Sequence, residues 1–376
     1  MKKVIILQRR MVHYRIDMFE LLSSELRKNN IELQVFYGQP TEAEEKKQDS
    51  ALLNVGVFRR NYYFNLFGKT VNLKMLKLSD IKGADLVIVP QENSYMTGLF
   101  VLLFKNLLNI KSVAYWGHGE NFQAKTPSIS ERVKKRLLLI SDFFFCYTEL
   151  SRDKIISRGY EKLNIATLNN AIDSRYLRAG ISSITVNEKA GFLNKYNLHG
   201  GALGLYLGSM YKEKEIPFLL EAISQIKNYQ PEFEMIFIGA GEDSCLIETF
   251  CAENSWAIYL GPCSGHTKYL ALALSSIILN PGLVGLGILD SFASRVPLIT
   301  TDITHHSPEI AYLKHMENGM MTPFDLNEYS KGVVNVLDND ELKLRLINGC
   351  EMSFQYFTLE SMVEKFNSGI LAATDR

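Results

Sequence analysis

Short apolar runs alternate with amphipathic segments along most of the chain. In the first half, the apolar runs predict strands at residues 4–7, 32–37, 85–90, 112–116 and 142–148. Helical periodicity marks residues 14–28, 94–108 and 128–139. The alternation restarts at residue 203, where we predict strands at 203–207, 234–238, 257–260, 276–279 and 298–301. The helices predicted between and beside them cover residues 214–227, 244–254, 266–274 and 286–294.

This order predicts an α/β fold with two doubly wound, Rossmann-like domains, because parallel strands joined by helices are covered by helices on both faces. Residues 176–200 mix glycine, serine and charge without a clear period, and we interpret them as the connection between the domains. The domains would then cover residues 1–175 and 201–356. The last segment, 357–376, contains an amphipathic helix expected to pack on a folded surface.

Composition narrows the function classes. A chain of 376 residues with 47% hydrophobic residues can bury two cores, and 41 basic against 41 acidic residues give no reason to expect nucleic acid as a partner. The five cysteines show no paired spacing typical of zinc or redox sites, which favours a reduced, cytoplasmic protein. We find no signal peptide pattern and no run of about 18 apolar residues, so no membrane span is predicted.

The stretch PGLVGLGILDSFASRVPLITTD, at residues 281–302, joins a glycine-rich turn to a short helix, an acidic residue and a strand. Such a turn can bring backbone amides close to a diphosphate, and the helix that opens near Leu286 adds a positive dipole. Asp290 falls about one turn into this helix, where its carboxylate could accept hydrogen bonds from ribose or sugar hydroxyls. An ordinary loop-helix-strand unit fits this stretch equally well when it is taken alone.

In its second half the chain resembles the donor domain of the GT-B glycosyltransferases of family 4, which use nucleotide-sugars and retain configuration. The resemblance rests, in chain order, on NNAID (169–173), LGSMYKEKEIPFLLEAI (207–223), IFIGAGED (236–243), residues 281–302, HHSPEI (305–310) and FTLESMVEKF (357–366). It implies a second domain that binds the donor, a first domain that binds the acceptor across a cleft, and a C-terminal helix that crosses back to the first domain. The Val-Gly-Leu form of the glycine loop suggests a sub-branch.

The resemblance also implies roles for single residues. Lys214 would contact the donor diphosphate, Asp290 would hold the ribose, and both would be catalytic together with His118. The remaining donor-binding residues would be Gly208, Ser209, Gly239, Gly241, Leu260, Gly261, Gly285, Leu286 and Gly287. Two positions depart from the family pattern: Gly282 replaces the first glutamate of an acidic pair, and Ser209 replaces an arginine. Spacing alone favours the other interpretation, in which Lys214 is a solvated member of the KEKE charge run.

The first half offers fewer matches. His118 follows a predicted strand between two glycines, and the resemblance places a histidine near the transferred sugar; a loop histidine that shapes the turn is the other interpretation. His13 and Arg15 follow the first strand and, with His118, are the predicted acceptor contacts, or else they pack the helix start. Other signals favour ordinary roles. We interpret residues 338–340, Asp-Asn-Asp, as a helix cap, and His305-His306 lacks partners for a metal.

The predicted function is a metal-independent hexosyltransferase that needs no cofactor beyond a UDP- or GDP-linked sugar. The expected acceptor is a glycan or a lipid-linked glycan of cell-surface polysaccharide biosynthesis. Residues 131–139 are basic and apolar, and with the apolar run 99–108 they could rest on the inner face of the cytoplasmic membrane, or simply form core-facing helices. Two alternatives remain open: a catalytically silent GT-B protein that binds a partner or glycan, and a nucleotide-sugar epimerase.

Overall fold

The computed structural model describes residues 1–45, 51–66, 69–92, 94–119 and 137–375. The chain forms two compact units, of which unit 1 comprises residues 1–173 with 359–376 and unit 2 comprises residues 174–358. Each unit has its own parallel sheet and hydrophobic core. Part of the helix predicted at 128–139, and most of the basic segment within it, lie outside the described residues.

Unit 1 is built on a seven-stranded parallel sheet in the order β3-β2-β1-β6-β7-β8-β9. Its strands, with the separate antiparallel hairpin β4-β5, are β1 Lys2–Arg10, β2 Ile31–Gly38, β3 Gly56–Phe58, β4 Asn61–Leu66, β5 Lys69–Lys74, β6 Leu86–Pro90, β7 Ser112–Gly117, β8 Phe143–Cys146 and β9 Ile165–Thr167. Strand β1 is central and its residues 4–7 are fully buried, which accounts for their unbroken apolar run. The first helices are α1 Ile16–Lys28, α2 Glu42–Glu45, α3 Leu78–Ile81, α4 Met96–Leu103 and α5 Glu149–Ser157.

Residues 176–200 were predicted to form an irregular connection between the domains. In the structure they fold largely into two helices and belong to unit 2. Helix α6 covers Arg175–Ser182, and helix α7 covers Val186–Tyr196. The side chain of Thr185 caps α7 and exchanges hydrogen bonds with Glu188, which forms a capping box. A Ser/Thr-x-x-Glu pattern at residues 185–188 was thus the available sequence signal for this helix.

Unit 2 has a six-stranded parallel sheet in the order β12-β11-β10-β13-β14-β15. Its strands are β10 Ala202–Leu207, β11 Phe233–Ile238, β12 Ala257–Tyr259, β13 Ile277–Leu279, β14 Leu298–Thr301 and β15 Gly319–Thr322. The helices that follow α7 are α8 Ile216–Tyr229, α9 Ser244–Glu253, α10 Gly265–Leu274, α11 Gly287–Ser294, α12 Leu326–Asp338 and α13 Asp340–Tyr356. Asn339 caps α13 through its side-chain oxygen, as predicted for residues 338–340.

The last helix, α14, covers Leu359–Thr374 and packs in unit 1. Its buried Phe366 lies with ring centroids 5.0 Å from Trp116 and 4.8 Å from Phe145, so the helix is fastened to strands β7 and β8. On the helix, a Cβ at Gly369 would lie 2.6 Å from the Phe145 ring, so the two elements pack in close contact. The amphipathic pattern of residues 359–372 therefore reflects burial against the first sheet.

Both sheets carry the strand order 3-2-1-4-5-6 of the Rossmann fold, and unit 1 adds a seventh strand at one edge. The predicted α/β class with two doubly wound units is confirmed. The hairpin β4-β5 and strands β3, β9 and β15 were absent from the prediction. In the parts of the chain that the structure describes, no helix is both long enough and apolar enough to cross a membrane.

Candidate active site

The topological switch point of unit 2 lies between β10 and β13, the neighbouring strands from which the sheet winds in opposite directions. Ligands of such sheets bind outside the carboxyl ends of the strands at this point. Two loops meet there: residues 208–214 follow β10, and residues 280–286 follow β13. The second loop contains most of the glycine-rich turn that the sequence identified.

The two loops are in direct backbone contact at Gly282. A Cβ at this position would lie 2.3 Å from the carbonyl carbon of Lys214 and 2.5 Å from the oxygen of Glu213. The amide of Leu283 also donates to Glu213 O at 2.7 Å. Any side chain at position 282 would therefore collide with the backbone of the neighbouring loop. This contact gives a physical reason for the glycine that stands where the resembled family has a glutamate.

Lys214 is the cation at this switch point. It lies on a short 3-10 turn, Lys212–Lys214, just before α8, and its ammonium donates to the carbonyl of Leu283. Burial lowers the pKa of Lys214 to about 8. No carboxylate of the described residues lies within ion-pair distance of its Nζ, whereas Lys212 and Glu213 are exposed. Lys214 is therefore distinct from the solvated part of the charge run and holds a positive charge next to the glycine-rich loop.

His306 fixes the other side of the glycine-rich loop. Its Nδ1 accepts from the amide of Val284 at 3.1 Å, and its Nε2 lies 2.7 Å from the carbonyl of Thr301. A neutral ring protonated on Nε2 satisfies both contacts. Burial lowers the pKa of His306, and the positive charges nearby include Lys214. The loop is further held by Thr301, whose hydroxyl donates to Pro281 O at 2.6 Å.

His306 and Asn280 are contributions to this site that the sequence interpretation missed. The amide of Asn280 donates to Leu283 O at 3.3 Å, and its Oδ1 is buried with no partner among the described residues. Asn280 directly follows strand β13, a position that signals a role at the carboxyl edge. His306 stands in the HHSPEI segment, and only the fold brings it onto residue 284.

Helix α11 begins immediately after the loop. Within the part of the chain that the structure describes, the amides of Gly285 and Leu286 donate to no protein acceptor, and they lie at the positive end of the helix dipole. Asp290 is in the first turn, and its carboxylate lies 3.0 Å from the ammonium of Lys268 on α10. The carboxylate predicted to contact the ribose therefore already has a cationic partner. The sequence analysis did not predict this ion pair.

The other predicted donor residues line the same edge of the sheet. Gly208 and Ser209 follow β10, Gly239 and Gly241 follow β11, and Leu260 and Gly261 follow β12. A Cβ at Gly239 would lie 1.7 Å from Gly208 O, and one at Gly241 would lie 1.9 Å from Met210 O. These glycines let the loops after β10 and β11 pack backbone to backbone, and they thereby support the 208–214 loop.

In unit 1, the predicted His118 and Arg15 meet around two aromatic rings. His118 stacks at an angle on Tyr147, with ring centroids 4.4 Å apart. Arg15 lies over the Trp116 ring at 4.5 Å and donates to the hydroxyl of Tyr147 at 3.1 Å. Tyr147 directly follows β8 and was not predicted. His13 is exposed and packs edge-on against Tyr14, with ring centroids 5.7 Å apart.

Crowding by protein atoms, and after it the positive charge of Arg15, lower the pKa of His118 from 6.5 to about 4. More than a third of the residue's surface is nevertheless exposed, and water on that side opposes the shift. The direction is what matters for chemistry: at neutral pH His118 is an uncharged imidazole that can both accept and donate a hydrogen bond. In the described part of the chain, no three acidic, histidine or cysteine side chains are grouped to hold a metal ion.

Comparisons with known proteins agree with this architecture. Residues 202–339 match the family model of glycosyl transferases group 1, and no curated protein matches the chain. HepE of Anabaena, crystallised with UDP, superposes with a TM-score of 0.71 at 11% identity over 99% of this chain and 100% of its own. A glycosyltransferase of Rickettsia africae gives 0.70 at 14% identity, with 98% of each chain covered.

A third solved structure, sucrose-phosphate synthase of Thermosynechococcus elongatus, gives a TM-score of 0.68 at 13% identity, with 98% of each chain covered. At such identities these structures establish the fold and nothing finer. The predicted GT-B architecture is confirmed by them. The chain has the GT-B fold, and its second unit carries a region of the glycosyltransferase group 1 type that includes the loops around Lys214 and Gly282.

Proposed function

We propose that this protein is a glycosyltransferase that binds a nucleotide-sugar on unit 2 and transfers the sugar to a glycan or lipid-linked glycan. The observation that carries the proposal is the cation Lys214 beside the glycine-rich loop and the start of α11, all within the matched group 1 region. A diphosphate placed there would receive an ammonium and backbone amides. Structures of HepE hold UDP and UDP-glucose, which makes a UDP-sugar the first donor to test.

In the proposed reaction, an acceptor hydroxyl attacks the anomeric carbon on the face from which the nucleotide diphosphate departs. As the bond to the diphosphate breaks, the proton of the hydroxyl passes to the leaving diphosphate. Lys214 and the amides of residues 285–287 would stabilise the negative charge that develops on the leaving diphosphate, so that no metal is required. Neutral His118 would donate to, or accept from, an oxygen near the transferred sugar. Retention of configuration and a hexosyl donor complete the proposal, and both derive from the family resemblance.

The test is a titration of the full-length protein with UDP, GDP, ADP and CMP by calorimetry, followed by turnover of the matching nucleotide-sugars. We expect one nucleotide to bind, and its sugar conjugate to release that nucleotide only when an acceptor glycan is added. Product formed without acceptor would instead indicate an epimerase. Failure to bind any nucleotide would refute the transferase and leave the silent, binding-only protein.

We further propose that unit 1 contacts the cytoplasmic face of a membrane. Four apolar side chains around the end of α4 are exposed: Phe100, Leu103, Phe104 and Leu107. The rings of Phe100 and Phe104 lie 4.9 Å apart, and Leu103 and Leu107 lie within four residues of Phe104 at the end of α4. An exposed contiguous apolar patch is typical of an interaction surface.

Co-sedimentation with vesicles of phosphatidylglycerol and phosphatidylethanolamine tests this contact. We expect the double variant Phe100→Ser, Phe104→Ser to bind vesicles at least fivefold less than the wild type. In the wild type both phenylalanine rings would move from water into the membrane interface, and the variant loses this contribution. Tyr176→Ser changes a side chain that is 74% exposed in unit 2 and serves as the control. Equal binding of the wild type and the double variant would remove this patch from the proposal.

A further inference from the structure

The two units carry opposite net charges, although the chain as a whole is neutral. Unit 1 contains 28 basic and 21 acidic residues, a net charge of +7, whereas unit 2 contains 13 basic and 20 acidic residues, a net charge of −7. Such an asymmetry indicates that the positive part of the protein meets an anionic partner. The surface that fits this partner is therefore expected on unit 1.

Within unit 1, residues 58–82 are strongly basic. They contain six basic residues and a single acidic residue, Asp80. Arg59 donates to both carboxylate oxygens of Asp80 at 2.9 Å, and these hydrogen bonds lower the pKa of Asp80. The only negative charge of the segment is thus already offset. Arg60 and Lys77 are exposed, so the positive charge of this segment reaches the surface.

The hairpin β4-β5, which lies in this segment, exposes large apolar side chains on one face. Tyr62 and Phe64 lie two residues apart on β4, and Leu73 of β5 is the direct antiparallel partner of Tyr62, so their side chains share one side of the hairpin. Met75 continues the row, because its amide donates to the carbonyl of Arg60 at 3.0 Å. The four apolar side chains are between 41% and 56% exposed, which is typical of an interaction surface.

The opposite face of the hairpin is anchored to unit 1. The Nδ2 of Asn61 donates to Arg9 O at 2.7 Å and to Gln39 O at 2.9 Å, while its Oδ1 accepts from the ammonium of Lys74 at 2.8 Å. The backbone amide of Lys74 also donates to the hydroxyl of Thr97 on α4 at 2.7 Å. The exposed face is therefore held in place, and α4, whose apolar side chains are proposed to meet a membrane, lies next to it.

The composition of the exposed face favours lipid over nucleic acid. The guanidinium of Arg60 lies 5.6 Å from the centroid of the Tyr62 ring, and cations beside exposed aromatic rings fit both kinds of anionic partner. Leu73 and Met75 distinguish the two. Aliphatic side chains gain free energy when they leave water at the boundary of the acyl chains, whereas they provide no ring on which a base can stack.

We propose that the exposed face of hairpin β4-β5 docks unit 1 on a surface of anionic lipid. Its four apolar side chains enter the headgroup region, while Arg60 and Lys77 contact lipid phosphates. This inference rests on the membrane contact proposed above for unit 1, to which it adds the lipid class and a second contact; it requires neither nucleotide binding nor turnover. The net charge of unit 2 is repelled by the same surface, so the two net charges together orient the protein on the membrane.

Flotation of the full-length protein with vesicles of phosphatidylcholine, with and without about 30% phosphatidylglycerol, tests the lipid class. We expect at least tenfold tighter binding to the anionic vesicles, and weaker binding as salt rises from roughly 0.05 to 0.5 M. The double variant Arg60→Gln, Lys77→Gln should bind anionic vesicles roughly 10- to 30-fold more weakly. Lys314→Gln, Arg345→Gln removes two exposed cations from unit 2 and is the matched control, which should bind as the wild type does.

The variant Phe64→Trp tests insertion of the hairpin itself. We expect anionic vesicles with brominated acyl chains to quench the fluorescence of this tryptophan, and not that of Tyr229→Trp, which changes an exposed position of unit 2. All these substitutions are at exposed positions, so the midpoint of thermal unfolding should not change. An unquenched Phe64→Trp in protein that is bound to vesicles would show that the hairpin does not dock.

Three other outcomes would overturn the proposal: equal binding to neutral and anionic vesicles, wild-type binding by Arg60→Gln, Lys77→Gln, or tighter binding to single-stranded RNA than to anionic vesicles. Nucleotide binding is measured in parallel and should be the same in all variants. A protein that binds a nucleotide but no anionic vesicle would refute the docking surface alone. A protein that binds anionic vesicles but no nucleotide would refute the transferase and leave the docking surface.

Discussion

Replacement of Lys214 by methionine should weaken donor binding and, at the same time, stabilise the free protein. A charge-assisted hydrogen bond contributes about 1.5–3 kcal/mol. The loss of one such bond from Lys214 to a diphosphate corresponds to roughly 10- to 150-fold weaker binding, since about 1.4 kcal/mol is a factor of ten. Isothermal titration calorimetry with UDP, or with whichever nucleotide binds, measures this change. Lys212→Met, in the same charge run but exposed, is the matched control and should bind as the wild type does.

The pH dependence sharpens this prediction. Burial lowers the pKa of Lys214 to about 8, so the ammonium is mostly protonated at pH 7 and loses its proton as the pH rises through 8. The second phosphate ionisation, near pH 6, is complete in this range and does not contribute. Nucleotide affinity should therefore fall above pH 8, by at most about tenfold per pH unit. The affinity of Lys214→Met should not show this fall.

Stability should move in the opposite direction. Between about pH 8 and 10.5 the unfolded state holds more protons on Lys214 than the folded state does, so the free energy of unfolding rises with pH across this window. Below pH 8, desolvation of the half-buried ammonium lowers the free energy of unfolding by at most about 3 kcal/mol. Lys214→Met removes this cost, but it also removes the hydrogen bond to Leu283, so the gain in stability is smaller. We expect a net gain of about 1–2 kcal/mol for Lys214→Met at pH 7 in urea denaturation. Binding within twofold of the wild type, or a clear loss of stability, would refute this reasoning.

Three further predictions concern the same loops. In urea denaturation, Gly282→Ala should lower the free energy of unfolding by about 1–3 kcal/mol, because the added Cβ meets the neighbouring backbone. Gly287→Ala, which has no atom within 4 Å of the added Cβ, should leave the free energy of unfolding unchanged. Equal effects of the two substitutions would contradict the packing argument. The pKa of His306 is lowered, so its contribution to stability should fall as the pH drops through 6.5. The free energy of unfolding of His306→Gln should therefore depend less on acid pH than that of His305→Gln. Identical pH profiles for the two variants would show that a neutral His306 does not stabilise the loop. Asp290→Ala should weaken UDP severalfold but leave inorganic pyrophosphate unchanged, as calorimetry can measure, and an equal loss for both would exclude a ribose contact.

Much of the fold could be predicted because its main elements are long and buried. The unbroken apolar runs of β1 and β10 reflect parallel strands covered on both faces, and they were located within a few residues. The hairpin β4-β5 escaped prediction because Tyr62 and Phe64 on one strand, and Leu73 on the other, are exposed, so no clear alternation of buried and exposed residues marks it. Helices α6 and α7 escaped because their polar faces dominate a segment with two glycines.

The candidate site shows the same division. Its backbone elements were predictable, since glycine-rich turns after strands are local features of the chain. Its polar contacts were not, because Lys268 reaches Asp290 from another helix, His306 reaches Val284 across 22 residues, and Tyr147 reaches Arg15 across 132. The spacing of residues along the chain carries no information on such pairs until the strand order is known.

By itself the sequence determined the two-unit α/β architecture and the glycine-rich loop after β13, because periodicity and turn chemistry are local properties. Lys214 became a candidate cation only through the family resemblance. Only the tertiary structure decided that Lys214 is half-buried beside Gly282, and that the side chain of Asn72 has no hydrogen-bond partner among the described residues. The reason is physical: burial and hydrogen-bond satisfaction depend on which distant segments pack together, and that packing sets both the charge at the switch point of unit 2 and the unpaired amide of Asn72 in unit 1.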